Sequence, residues 1–180
     1  GKSSIVNRFT GEARVIVSDM PGPTRDSVDT YVKNKYGEYI FVDTAGIRRN
    51  AKIEDRVERF SVIRANSAVE KADVCIVMID AQEGVTAQDE RIAGLAHNAG
   101  KASIIVINKW DTLEKDNTSV PKFKKQVLDA LTYMRYAPTE FVSALTGQRV
   151  EKLYPTINEV YANARRRITT GLLNDFLSEI

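Results

Sequence analysis

The chain has 180 residues, 43% hydrophobic and 28% charged, and its 26 Lys plus Arg stand against 24 Asp plus Glu for a net charge of +2. That is the profile of one ordinary globular domain able to bury a core. The charge balance excludes a polybasic nucleic-acid tail or an acidic solvating protein, though not a local basic patch.

One cysteine, Cys75, cannot form an internal disulfide, and with a single histidine, His97, no zinc site of the usual His/Cys type fits. No apolar run approaches the roughly 20 residues that cross a bilayer, and no charged-then-apolar leader is visible. The expected setting is a reducing cytoplasm, with no membrane partner.

In chain order, Gly1-Lys2-Ser3-Ser4 reads as the start of a helix. Val28 to Tyr36 is mixed in polarity, as an edge strand would be. Tyr39-Ile40-Phe41-Val42, Val74 to Ile79, Ile104 to Ile107 and the short Phe141-Val142 are continuous apolar runs, the pattern of parallel strands covered on both faces. Glu58 to Lys71 reads as a helix of weak periodicity. Thr86-Ala87-Gln88-Asp89 has capping-box spacing. It opens a helix whose stripe is Ile92, Leu95, Ala96 and Ala99, with Gly100 placed to end it. Phe123, Val127, Leu128 and Leu131 mark a further helix, with Pro121 acceptable in its first turn. Val150, Leu153, Tyr154, Ile157, Tyr161 and Ala164 mark another, where Pro155 implies a kink or a later start. A basic triplet, Arg165-Arg166-Arg167, precedes a last amphipathic stretch (Leu172, Leu173, Phe176, Leu177, Ile180). Strands alternating with helices predict an α/β fold: a doubly wound, mostly parallel sheet with helices on both faces.

In such folds ligands bind in the loops at the carboxyl ends of the strands. Four segments sit in such places. Gly1-Lys2-Ser3 matches the end of a P-loop, G-x-x-x-x-G-K-[ST]. There a helix amino terminus offers N–H groups and a positive dipole end to phosphate, Lys2 would neutralise the β and γ phosphates, and Ser3 would coordinate Mg²⁺. Asp43-Thr44-Ala45-Gly46 comes directly after an apolar run: Asp43 would hold Mg²⁺ through water, and Gly46 would let its N–H approach the γ-phosphate. Asn108-Lys109-Trp110-Asp111 comes directly after another. Guanine presents N1–H and an exocyclic amine as adjacent donors, and the Asp111 carboxylate can accept both, whereas adenine has no N1 donor. Asn108 would tie the loop together and the Lys109 stem would pack over the base. Ser143-Ala144-Leu145 lies after the last run, where the Ala144 N–H could reach guanine O6. Each tripeptide or tetrapeptide alone has an ordinary structural reading as a helix start, a strand-end turn or a polar cap. Their order (phosphate, magnesium, base, base) points to a P-loop NTPase of small-GTPase type with Gly1, Lys2, Ser3, Ser4, Asp43, Gly46, Asn108, Lys109, Asp111, Ser143, Ala144 and Leu145 at the nucleotide.

The order GKSS, DTAG, NKWD, SA is similar to that of translation-factor-type GTPases. Longer stretches, VIVSD-MPGPTRDSVDT, FVDTAGIRRN, ADVCIVMIDAQEGVTAQDERIAGLAHNAGKA and YAPTEFVSALTGQRV, resemble the second GTPase domain of the Der (EngA) family of double-GTPase ribosome-assembly factors. The tail RITTGLLNDFL resembles the linker into that family's KH-like domain. The resemblance implies a GTPase domain over 1–165 and a linker with the start of a KH-like domain over 166–180. It also implies that the strand and first half of the P-loop precede Gly1. It makes Thr24 the switch residue that binds Mg²⁺ and γ-phosphate, with Lys2, Thr24 and Gly46 in the catalytic role and Ser3, Thr24 and Asp43 at the metal. It puts Ile47 where many GTPases carry a water-orienting Gln, so that hydrolysis by the chain alone should be slow. Implied cofactors are GTP/GDP and Mg²⁺, with K⁺ bound by a P-loop Asn. Implied partners are ribosomal precursor particles and rRNA, for a monomer. Pro21-Gly22-Pro23-Thr24 stands where the family has Ala-Gly-Thr-Thr, and two prolines would stiffen the switch. An alternative is a catalytically weak nucleotide-binding or docking module, and a further one is an Era or TrmE relative.

The remaining residues have plainer readings. Cys75 is expected in the core, His97 at the surface, and Trp110 either beside the pocket or in plain packing. Arg25, Arg48 and Arg49 are expected to be solvated or to meet a partner, with an internal arginine finger as the sharper alternative. The basic clusters Lys122-Phe123-Lys124-Lys125 and 165–167 are solvated helix faces or rRNA contacts.

Overall fold

The computed structural model describes residues 2–11, 14–16, 29–42, 65–113 and 118–178. Its elements in chain order are α1 (Lys2–Gly11), β1 (Arg14–Ile16), β2 (Thr30–Asn34), β3 (Gly37–Phe41), α2 (65–71), β4 (Val74–Asp80), α3 (Ala87–Asn98), β5 (Ala102–Asn108), α4 (Ser119–Ala130), β6 (Thr139–Phe141), α5 (Leu153–Ala164) and α6 (Thr170–Ser178).

The strands form two three-stranded sheets, β1-β2-β3 and β4-β5-β6. The second is the parallel sheet expected from the sequence: Val74 to Asp80 pairs in register with Ala102 to Asn108, and Ile105 to Ile107 with Thr139 to Phe141. Strand β5 is central and buried from Ser103 to Asn108, which is why it reads as an unbroken Ile/Val run. Side chains alternate across a strand, so its two faces belong to two cores. Ile105 and Ile107 pack with Val77 and Ile79, Ala93 of α3, Val127 of α4 and Phe141. Ile104 and Val106 pack with Ile5 and Phe9 of α1 and Leu153, Tyr154 and Ile157 of α5.

The first sheet corrects two expectations. It is antiparallel, with β2 in its middle, so Thr30–Asn34 is not an edge strand. β3 is half of a hairpin rather than a buried parallel strand: Ile40 is 65% exposed, while Tyr39 and Phe41 turn towards the core. The turn ends at Gly37, whose φ of 146° suits glycine. The hairpin docks on α5 through a ring cluster: Tyr36 stacks on Tyr154 at 5.5 Å, and Phe9 on Phe41 at 4.9 Å. Tyr39 Oη donates to Asn158 Oδ1 at 2.9 Å, Asn158 Nδ2 donates to the Tyr36 carbonyl at 3.0 Å, and Lys35 pairs with Glu151 at 2.6 Å.

The helix signals resolve as local chemistry dictates. Thr86 and Asp89 close a reciprocal capping box on α3, and Gly100 comes just after its end with φ 63°. Pro155 falls in the first turn of α5, so the helix starts late and does not kink there. Pro121 lies in the first turn of α4. The described part of the expected Glu58–Lys71 helix, 65–71, is helical. Cys75 is buried, and burial pushes its thiol pKa up. His97 is half-buried between the rings of Tyr133 and Tyr136 rather than freely solvated. Among the described residues no helix is long and apolar enough to cross a membrane.

Candidate functional site

The carboxyl ends of β4, β5 and β6 carry three polar segments, two of them singled out in the sequence, and their side chains meet. Asn108, the last residue of β5, is 4% exposed, and its Oδ1 accepts the Ala144 N–H at 3.0 Å. The β5 loop is thereby joined to the loop after β6. A second tie runs alongside, from the Trp110 N–H to the Val142 carbonyl at 3.1 Å.

Lys109 takes a left-handed conformation, φ 59°, which lets the chain leave the strand in a tight turn. Its carbonyl accepts the Thr112 hydroxyl at 2.8 Å and the Thr112 N–H at 3.0 Å. Its ammonium reaches across to Asp80 at the end of β4, 2.5 Å from Oδ2. Burial alone would raise the Asp80 pKa. The Lys109 hydrogen bond, the Gln82 N–H on Oδ1 and the Lys109 charge together hold it below its ordinary value. The Asp80 hydrogen bond and charge raise that of Lys109. Sequence reasoning missed Asp80, although a carboxylate ending an apolar run is the same signal that singles out Asp43.

Trp110 is core rather than pocket wall. It is 4% exposed, with its ring 4.5 Å from Phe141 and 5.6 Å from Phe123. Its burial fixes the backbone on which Asp111 sits. Asp111 Oδ1 is buried with no hydrogen-bond partner among the described residues. An unsatisfied buried carboxylate oxygen costs about 1–3 kcal/mol or more. Such an atom calls for donors from beyond the described residues, and guanine offers two adjacent ones.

The loop after β6 is a closed turn. Ser143 is fully buried and its Oγ accepts the Thr146 N–H at 3.1 Å; its N–H donates to the Gln148 carbonyl and its carbonyl accepts the Gly147 N–H. Ala144 is buried and Leu145 is 76% exposed. Arg8 of α1, half-buried, donates from Nε to the Ala144 carbonyl at 3.1 Å and from Nη2 to the Leu145 carbonyl at 2.5 Å. Sequence reasoning missed Arg8, because a basic residue on a helix carries no local mark of a partner 136 positions away.

Lys2 and Ser3 occupy the first turn of α1, and Ser4 in the same turn is exposed. Gly1, Thr24, Asp43 and Gly46 lie outside the described residues, as do Arg25, Ile47, Arg48 and Arg49. The structure thus brings together Asn108, Lys109, Asp111, Ser143 and Ala144 at one end of the parallel sheet. It sets the α1 helix against the same loop through Arg8.

A model of the family described as 50S ribosome-binding GTPase matches residues 1–109. The chain belongs to that family. Within it, the chain is similar to the GTPase Der of Acetivibrio thermocellus, 55% identical over 179 residues, which are 99% of this chain and 41% of that protein. The GTPase Der of Ruminiclostridium cellulolyticum is likewise 55% identical over 179 residues, and that of Clostridium botulinum strain Okra 51%. The chain therefore spans about two fifths of the length of these relatives. Among solved structures, Era in complex with MgGDPNP and nucleotides 1506–1542 of 16S ribosomal RNA is 28% identical, with a TM-score of 0.66, over 89% of this chain and 52% of that one. A probable GTP-binding protein engB, 16% identical with a TM-score of 0.60, shares the fold. The expected fold, a P-loop GTPase with helices on both faces of a parallel sheet, is the fold found, and the resemblance to Der holds over nearly the whole chain.

Proposed function

We propose that this chain is a guanine-nucleotide domain that binds GTP and hydrolyses it to GDP and phosphate as part of a ribosome-assembly GTPase. The observation that carries the reading is Asp111 Oδ1, buried with no partner among the described residues, three positions after the Asn108 that ties in Ala144. Guanine N1–H and the 2-amino group supply the donors that this carboxylate lacks, and adenine supplies none at N1, so docking removes a standing desolvation cost only for the right base.

The phosphates would lie at the amino terminus of α1, where backbone N–H groups and the helix dipole favour anions. Lys2 would neutralise charge on the β and γ phosphates. Ser3, Thr24 and Asp43 would hold Mg²⁺, which would neutralise part of the negative charge on the phosphates. The backbone N–H groups of Thr24 and Gly46 would report the γ-phosphate. Water attacks the γ-phosphorus, the bond to the bridging oxygen breaks, and GDP leaves with the electron pair. The chain's part is positioning and electrostatics. With Ile47 after the Asp43–Gly46 segment no side chain there can polarise the water, so turnover is slow without a partner.

The working setting is a cytoplasmic monomer that meets ribosomal precursor particles and rRNA. Residues 1–165 form the GTPase domain, and 166–180 lead into a KH-like domain. The exposed Leu173, Phe176 and Leu177 of α6 are suited to packing on that KH-like domain.

The test is a titration with fluorescent GDP, competed by unlabelled GDP or ADP. Displacement by GDP alone is the expected result. Equal displacement by ADP removes the guanine reading, and absence of binding leaves the chain a docking module of its assembly factor.

A further inference from the structure

We infer that Arg8 is the positioning residue that aims the Leu145 backbone amide of the 143–146 turn at guanine O6, and so couples the phosphate helix to base reading. The inference rests on the proposed guanine site.

Three successive peptide units make up this turn, and each is pinned. The Ser143–Ala144 unit is held through its N–H by Asn108 Oδ1 at 3.0 Å. The Ala144–Leu145 unit is held through its carbonyl by Arg8 Nε at 3.1 Å. The Leu145–Thr146 unit is held at both ends, by Arg8 Nη2 on the carbonyl at 2.5 Å and Ser143 Oγ on the N–H at 3.1 Å. Two consecutive carbonyls therefore face one guanidinium, a geometry that a planar fork satisfies and a point charge does not.

A trans peptide sets its N–H opposite its carbonyl. Fixing the Ala144 carbonyl on Arg8 thus turns the Leu145 N–H away from α1. It becomes the amide that stands beside the Ala144 N–H already engaged by Asn108. The guanidinium also lies along Gly147, where an added Cβ would come 3.6 Å from Arg8 Cζ, and Gly147 has φ 83°. That left-handed conformation suits glycine, and the guanidinium seats beside it at ordinary contact distance.

Arg8 sits on the same helix as Lys2 and Ser3, one to two turns along. A shift of α1 on phosphate binding would be transmitted to the base loop through two hydrogen bonds.

Base analogues separate this role from the others. In 6-thio-GDP, sulfur replaces O6 and accepts amide hydrogen bonds poorly, while the donors facing Asp111 remain. In IDP the 2-amino group is missing and O6 remains. The wild-type chain should prefer GDP to both. Arg8→Ala should cut the preference over 6-thio-GDP by about tenfold, the weight of one hydrogen bond, and leave the preference over IDP unchanged. Arg8→Lys, which keeps the charge but not the planar fork, should fall between and guards against a misfolded alanine variant. The inference is overturned if both preferences survive Arg8→Ala, if both fall together, or if wild type does not distinguish 6-thio-GDP. A wild type with no preference for GDP over ADP would instead remove the guanine reading itself.

Discussion

Asn108 Oδ1 and the Ala144 N–H are 3.0 Å apart, and this bond ties the loop after β5 to the loop after β6. Both partners are buried, Asn108 at 4% and Ala144 at 5% exposure. Asn108→Ala would leave the amide buried and unpaired, at a cost of about 1–3 kcal/mol. In a domain of this size that is a fall of roughly 2–4 °C in Tm per kcal/mol. Urea unfolding should show the loss in the absence of nucleotide, and GDP affinity should fall by more than the stability loss explains. A variant as stable as wild type would mean that the bond does not organise the turn.

Asp111 should behave in the opposite way. Its Oδ1 has no partner among the described residues, so Asp111→Asn removes a burdened carboxylate and should leave the unliganded Tm unchanged or raised. Affinity for GDP should drop by about a hundredfold or more, since an amide presents a donor to a donor. Xanthine carries an oxo group where guanine has the amine, so XDP should bind Asp111→Asn better than GDP does. Competition titrations with the two nucleotides read the reversal directly.

What was legible in the sequence is what local chemistry decides. Strands β4 and β5 are local: Val74 to Ile79 and Ile104 to Ile107 are unbroken apolar runs, and the second is buried throughout as such a run requires, while in β4 buried residues alternate with half-buried ones. Asn108, Lys109 and Asp111 stand out because they come directly at the end of such a run. The hairpin is misleading because Tyr39-Ile40-Phe41-Val42 looks continuous, yet Ile40 faces out on an antiparallel strand. Periodicity over four residues cannot tell these cases apart. Asp80 and Arg8 escape for another reason. Their roles come from partners 29 and 136 positions away (Lys109 and Ala144), pairings that only the packed fold creates.

The Lys109–Asp80 pair gives a pH dependence of definite sign. The folded Asp80 pKa lies below its unfolded value, so its contribution is present above that value, about 3.9, and is lost as pH falls through the folded pKa. The folded Lys109 pKa lies above its unfolded value of about 10.4, so its share is present below that and is lost as pH rises through the folded pKa. The difference in Tm between wild type and Asp80→Asn should therefore be flat across neutral pH and vanish in strong acid. Because Lys109 is 43% exposed, the difference should also shrink with added salt. A difference that persists in strong acid would assign the effect to packing rather than charge.

Asn158 pins the β2–β3 hairpin to α5 in both directions, accepting from Tyr39 Oη and donating to the Tyr36 carbonyl. The hairpin lies between the segments that hold Thr24 and Asp43, so its seat bears on both. Asn158→Ala should cost about 1–2 kcal/mol, since both groups lie near the surface and water replaces part of each bond. Hydrogen exchange should quicken at Tyr36 to Phe41 and leave β4 and β5 protected. Uniform acceleration would show instead that the hairpin and the parallel sheet open as one unit.

Trp110 lies between Lys109 and Asp111, which are proposed to read the base, yet its ring packs into the core, 4.5 Å from the Phe141 ring and 5.6 Å from Phe123. It is the only tryptophan in the chain, so its fluorescence reports this one place. At 4% exposure its emission should be blue-shifted and protected from iodide. Trp110→Ala should cost about 3–5 kcal/mol through the cavity it leaves. Trp110→Phe should cost less and keep GDP binding near wild type, because the ring acts on the base only by fixing the backbone of Lys109 and Asp111. If Trp110→Phe kept stability but lost GDP, the indole itself would touch the nucleotide, and the tryptophan would have to be counted among the binding residues rather than the core.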